Sequence, residues 1–277
     1  MMETPAATTF PAAAANAKRR LAFLTGAFVL AIALTEVVYA FVAPAAGIAC
    51  AAVAILALLG VATLEPARGV GEGSDHGLRA LDVLPVLALV PLLRIVSLTI
   101  PVRDLPQLYW YAVTGAPLLV ALALTAGFFG VTWSRETFGF AWSRTQGLIG
   151  LAGVPVGLIA YLVLRPDRIE PRLTPALVAA GLLILIPFNA LMEEVLFRGA
   201  LQRVLVDVFG DLGVAVAAIV FMATYLGTRS APYVVLVGII GFAFGRCVRQ
   251  TGSLAGVVVS HGLISLGLLL VWPYVLG

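Results

Sequence analysis

The chain is expected to be an all-α, polytopic membrane protein, a bundle of about 8–9 transmembrane helices. Two observations predict this. Of its 277 residues, 61% are hydrophobic and only 11% charged, and the mean hydropathy is +1.07. That is too little charge to keep a soluble domain of this size dispersed in water. Apolar runs of about 20 residues, the length that crosses a hydrocarbon core, recur along almost the whole chain. These runs are continuously apolar rather than alternating, which sets aside an outer-membrane β-barrel.

Residues 1–17 are rich in Ala, Thr and Pro and read as a disordered tail. Lys18, Arg19 and Arg20 then precede the apolar run Leu21–Val42. This run is too long for the core of a signal peptide and more spans follow it, so it reads as a signal-anchor helix. Further spans are expected over Ala45–Leu64, Val83–Ile100, Tyr109–Val131 and Gly147–Leu164. After them come Pro175–Pro187 running on into Phe188–Phe209, then Leu212–Leu226, Pro232–Cys247 and Leu254–Val275. The charged, Gly-rich stretch Glu65–Ala80 and the Pro/Arg stretch Arg165–Pro175 read as connections outside the membrane. Trp133–Thr145, aromatic and basic, suits the interface. The chain divides into a flexible tail (1–20), N-terminal transmembrane helices (21–131) and a C-terminal membrane core (132–277).

The net charge of +3 comes from arginines scattered over short loops, which offers no nucleic-acid surface. Their distribution favours a cytoplasmic N-terminus, although Arg165, Arg168 and Arg172 run against it. A bacterial cell membrane is the expected location. Cys50 and Cys247, the only cysteines, lie in apolar or membrane-edge sequence, so a disulfide framework is not expected. Gly241 and Gly245 form a GxxxG pair of the kind that lets membrane helices approach closely.

An ionisable residue inside a span is costly unless paired, so each is a functional candidate. The densest group lies between Asn189 and Gln202. At about 100° per residue, Glu194, Arg198 and Gln202 fall along one row of a helix. Glu193 points away from that row and shares its side with Asn189. The two adjacent glutamates therefore have different tasks: Glu194 pairs with Arg198, and Glu193 is free to face a cavity as a general base. Pro187, just upstream, is expected to kink or interrupt the helix. In the last span, Ser253 reads as an N-cap after Gly252. His261 and Ser265 then share one helical face, where an imidazole can donate, accept or shuttle a proton. Plainer readings exist for most of these: a helix–helix hydrogen bond for His261, a structural ion pair for Glu194–Arg198, packing for Phe221 and Tyr225. Glu36 and Arg94, also within spans, are expected to pair with each other across helices.

The stretch Glu193-Glu194-Val-Leu-Phe-Arg198-Gly199 resembles the EExxxRG signature of the CPBP intramembrane proteases, a family that includes the CaaX-processing protease Rce1 and bacteriocin self-immunity proteins. Phe221-Met-Ala-Thr-Tyr225 stands where that family has FxxxH, and His261-Gly-Leu-Ile-Ser265 where it has HxxxN. The resemblance covers about residues 132–275, so the C-terminal part would be a CPBP-like protease core. It implies that Glu193 activates water for attack on a peptide carbonyl, that Glu194 and Arg198 hold the site together, and that His261 polarises the substrate or stabilises the oxyanion with help from position 265. Membrane lipid and a peptide or membrane-anchored protein substrate are the implied partners. Phe221 and Asn189 are further candidates for substrate or oxyanion contacts.

Two positions depart from the family pattern: Tyr225 replaces a histidine and Ser265 an asparagine. A zinc of the usual kind needs three protein ligands. Glu193 and His261 supply two, a phenolate is an unusual third and His76 lies in a loop, so a zinc site is incomplete; a metal-free mechanism, with Tyr225 donating to the oxyanion, stands beside it as the alternative. The same change fits a homologue that has lost catalysis and serves as a scaffold or immunity factor. A small transporter using Glu36, Arg94 and Glu193 is the third class, weakened by the lack of an apparent inverted repeat.

Overall fold

The architecture is that of a computed structural model describing residues 10–64, 83–102, 104–128 and 139–277, and among these no strand occurs. We number its helices α1 (Phe10–Phe41), α2 (Pro44–Leu64), α3 (Val83–Thr99), α4 (Gln107–Phe128), α5 (Arg144–Leu164), α6 (Pro175–Phe209), α7 (Leu212–Ala223), α8 (Ala231–Thr251) and α9 (Ala255–Val275). Seven of them contain spans long and apolar enough to cross a membrane; α3 and α7 are shorter apolar helices. The protein is thus a polytopic helical bundle, as its composition predicts. The Glu65–Ala80 connection with His76, and residues 133–138 of the aromatic-basic stretch, lie outside the described residues.

The tail does not run as far as expected: α1 begins at Phe10. Pro11 sits in the first turn, where its missing N–H costs nothing, and the alanines after it are the strongest helix formers. Residues 1–9 lie outside the described part. The helices present leucine, isoleucine and phenylalanine outward, Phe23, Leu183 and Ile239 among them, as lipid requires of a surface it solvates.

The most enclosed element is α9, 72% of whose best apolar window is buried, against 39% or less for the other spans. Close approach by α5 explains this. Gly150, Gly153 and Gly157 put bare backbone against Val259, Ser260 and Ile264; a Cβ on Gly157 would lie 3.2 Å from the Ile264 Cα, and one on Gly153 would overlap the Ser260 carbonyl. Small residues at such a seam allow dense packing without relying on a hydrophobic driving force. Gln146 fastens the entry to α9. Its Oε1 accepts from the Gly256 N–H at 2.6 Å and its Nε2 donates to Thr251 Oγ1 at 2.9 Å. Between α8 and α9, Gly252 takes a left-handed conformation (φ 67°); the N-cap of α9 is Leu254 rather than the expected Ser253, whose Oγ accepts from the Ala255 N–H at 3.3 Å from one position earlier.

Pro187 does not interrupt α6. The helix runs on through two π-helical stretches, Ile186–Leu191 and Val195–Leu201, separated by Met192–Glu194. A π-turn holds one residue more than an α-turn, so the proline's missing donor is absorbed within the helix rather than by breaking it.

Candidate active site

The two π-turns of α6 flank the two glutamates. Glu194 is completely buried, and its Oε1 accepts from Arg198 Nη1 at 3.1 Å. Arg198 Nη2 also donates to the Gly241 carbonyl at 3.3 Å, and four residues on Gln202 Nε2 donates to the Gly245 carbonyl at 3.0 Å. The expected row of Glu194, Arg198 and Gln202 therefore exists, and its targets are the GxxxG pair of α8. Each i, i+4 step on α6 meets an i, i+4 step on α8, and the missing glycine side chains bring the carbonyls within reach. The Arg198 guanidinium also lies 4.1 Å from the centre of the Phe221 ring, a cation–π contact that helps solvate a buried charge.

A Cβ at Gly241 would lie 2.9 Å from Phe221 and 3.1 Å from Arg198 Nη2. Gly241→Leu is therefore expected to displace both groups and to lower stability by about 1–3 kcal/mol, the usual cost of overpacking. Thermal unfolding in detergent measures it.

Glu194 has a second partner. The same Oε1 lies 2.8 Å from His261 Nδ1, so the carboxylate bridges the arginine of its own helix and the histidine of α9. This contact, across 67 positions of sequence, goes beyond the local brace expected for Glu194. It orients the imidazole with Nε2 toward Glu193, whose Oε2 is 3.9 Å away. The two adjacent glutamates thus have different surroundings.

Glu193 Oε2 accepts from the Tyr225 hydroxyl at 2.9 Å. Tyr225 was expected to donate toward an oxyanion; in the structure its hydroxyl is engaged with the carboxylate. Asn189 does not meet Glu193 either, despite the shared side inferred from α-helical periodicity. Its Nδ2 donates to Ser265 Oγ at 3.0 Å, because the π-turn changes the angular spacing along α6. Phe221 packs edge-on to His261, Tyr225 and Phe197 at centroid distances of 6.3, 5.2 and 4.9 Å, filling the angle between α6, α7 and α9.

Two further tyrosines, Tyr111 of α4 and Tyr233 of α8, stand within electrostatic reach of Glu193. Sequence reasoning missed both, since a tyrosine in an apolar span reads as packing or an interface anchor. A small cleft opens beside Tyr225 and His261, lined by these two with Tyr233 and Ser265 and by apolar side chains of α5, α7, α8 and α9.

Residues 175–267 match the family model described as type II CAAX prenyl endopeptidase Rce1-like. This segment is similar to the Rce1-like domain. It contains Asn189, Glu193, Glu194, Arg198, Phe221, Tyr225, His261 and Ser265, and leaves α1 to α5 outside. No curated protein and no solved structure matches the chain. The Rce1-like domain implies an endopeptidase of the CAAX type working within the membrane.

Zinc fits the Rce1-like domain poorly. Glu193 Oε2 and His261 Nε2 are two donors of an ordinary type, but the next polar atom, the Tyr225 hydroxyl, is already donating to Glu193. Among the described residues no three His, Cys, Asp or Glu side chains gather where they could hold a metal. The usual three-ligand site is not assembled, and no step below is routed through a metal. Cys50 and Cys247 are both free thiols.

Proposed function

We propose that the chain is an intramembrane endopeptidase in which Glu193 activates water for attack on a peptide carbonyl. The observation that carries this reading is the unequal use of two adjacent glutamates. Glu194 is fully enclosed and spent on Arg198 and His261, while the Glu193 side chain keeps 12% exposure and faces Tyr225 and the His261 Nε2. A carboxylate with one side-chain hydrogen bond and residual exposure suits a general base; one enclosed between Arg198 and His261 suits a brace.

In this mechanism Glu193 takes a proton from water as the water oxygen bonds to the carbonyl carbon. His261, with a proton on each ring nitrogen, gives its Nδ1–H to Glu194 and turns its Nε2–H to the oxyanion. Ser265 accepts from Asn189, which leaves its own O–H free to donate to that oxyanion. Glu193 then passes its proton to the leaving nitrogen as the oxyanion collapses and the C–N bond breaks, releasing a carboxylic acid and an amine. The apolar cleft supports a substrate with a membrane-embedded segment, a peptide or a membrane-anchored protein.

The Tyr225–Glu193 hydrogen bond favours one second reading, a pocket that binds a partner without cutting it because a phenol occupies the base. Cleavage of quenched membrane-peptide substrates by the purified protein, with products mapped by mass spectrometry, decides between them. Under the protease reading Tyr225→Phe lowers kcat by about 10–100-fold, the worth of one hydrogen bond to a charged group. A folded wild type that cuts no peptide of the panel would leave the binding reading in place.

A further inference from the structure

The structure carries a buried ion pair far from the matched domain in sequence and next to it in space. Glu36 of α1 is fully buried, and its Oε2 accepts from both Nε and Nη2 of Arg94 in α3, at 2.9 and 2.6 Å. Arg94 Nη2 also donates to the Thr224 carbonyl at 2.6 Å, and its guanidinium lies 4.1 Å from the centre of the Tyr39 ring. Thr224 directly precedes Tyr225.

The chain at this point explains what the arginine does. Helix α7 ends at Ala223, and its last carbonyls have no intrahelical N–H to meet. The next turn takes up Tyr225 O and Leu226 O, which accept from the Thr228 and Arg229 N–H groups at 3.0 Å each. Arg94 takes up Thr224 O and also places a positive charge at the negative end of α7. Tyr225 itself sits at φ −96°, ψ 1°, the conformation of a turn residue. Helix α1 grips the same turn twice more: Arg229 Nε donates to the Ala40 carbonyl at 3.0 Å, and the Tyr39 ring lies where a Cβ on Gly227 would come within 2.6 Å.

We propose that Arg94, held by Glu36, is a positioning residue for Tyr225, acting through the Thr224 carbonyl. A buried ion pair gains little stability over well-packed apolar side chains. What this pair adds is direction: a planar cation fixed by one carboxylate and aimed at the carbonyl that orients the next residue. The N-terminal helices, which lie outside the matched domain, thereby set where the Tyr225 hydroxyl stands relative to Glu193. The kinetic part of this inference rests on the protease reading above; the geometric part does not.

The test places 3-fluorotyrosine at position 225, and separately at position 161 as a control, and follows the ¹⁹F resonances in detergent micelles. Arg94→Met is compared with Arg94→Met/Glu36→Met, the latter so that no unpaired buried carboxylate unfolds the protein. The double variant is expected to shift and broaden the 225 resonance and leave the 161 resonance in place. It is also expected to lower kcat about tenfold with KM within about twofold, and to cost no more than about twofold in a Tyr225→Phe background, since residues acting through one another are not additive. An unmoved 225 resonance, equal movement of both labels, or an equal kcat loss in the two backgrounds overturns the proposal. If the wild type cuts nothing, the protease reading fails and the ¹⁹F comparison alone decides this one.

Discussion

Glu193→Gln is expected to abolish peptide cleavage while the protein stays folded in detergent. The substitution keeps the size and shape of the side chain and removes its ability to take a proton. Tyr225 still finds an acceptor, because the amide oxygen of glutamine replaces the carboxylate oxygen that accepts its hydroxyl at 2.9 Å. The Glu194–Arg198–His261 cluster touches Glu193 only through the longer 3.9 Å approach of His261 Nε2, so the fold loses little. A positioned general base contributes about 10²–10⁴-fold, and cleavage should fall by that factor or below detection. Initial rates on a quenched peptide, measured beside thermal unfolding of the same samples, check both halves. A folded Glu193→Gln protein that cuts at the wild-type rate would remove Glu193 from the mechanism.

Glu194→Gln is expected to behave in the opposite way, losing stability first and activity as a consequence. Among the described residues Glu194 is the only carboxylate within hydrogen-bonding distance of Arg198, whose side chain is 2% exposed, and the same oxygen holds His261 Nδ1 at 2.8 Å. Removing that charge leaves a buried guanidinium without its counter-ion, a loss of about 3–5 kcal/mol for a broken buried pair. His261 is left with only a neutral amide oxygen, shared with Arg198, to fix its ring. The signature is a lowered unfolding temperature together with reduced accumulation in membranes, and it separates two neighbouring glutamates that look alike in sequence. Equal stability of the two single variants would show that the assignment of brace and base is wrong.

Much of this was legible in the residues. The span pattern followed from continuous apolar runs: among the described residues each expected segment is mainly helical, although those at Val83–Ile100 and Leu212–Leu226 form helices shorter than the seven spans. The Glu194–Arg198–Gln202 row could be read because salt bridges at i, i+4 depend only on local helical geometry. The Glu36–Arg94 pair was legible for a different reason: two opposite charges in apolar spans must find each other or pay a large desolvation penalty. What stayed hidden depends on packing between distant helices. Nothing local says that Glu194 reaches His261, that Arg94 meets the Thr224 carbonyl, or that Tyr111 and Tyr233 border Glu193. The α-helical angle also misplaced Asn189. A proline in a run of apolar residues can mark a kink or a π-turn, and periodicity assumes neither.

The two π-turns of α6 make the length of this helix part of its chemistry. Each carries a residue that an ordinary α-turn would omit. Losing a single codon between Ile186 and Leu191 would return that turn to α and swing the following side chains by about 100°, carrying Glu193 away from Tyr225 and His261. A related sequence can therefore keep every letter of the Glu193–Gly199 stretch and still lack the site if an alignment gap falls a few positions upstream. When relatives of this chain are compared, the count of residues from Pro187 to Glu193 carries as much information as the residues themselves.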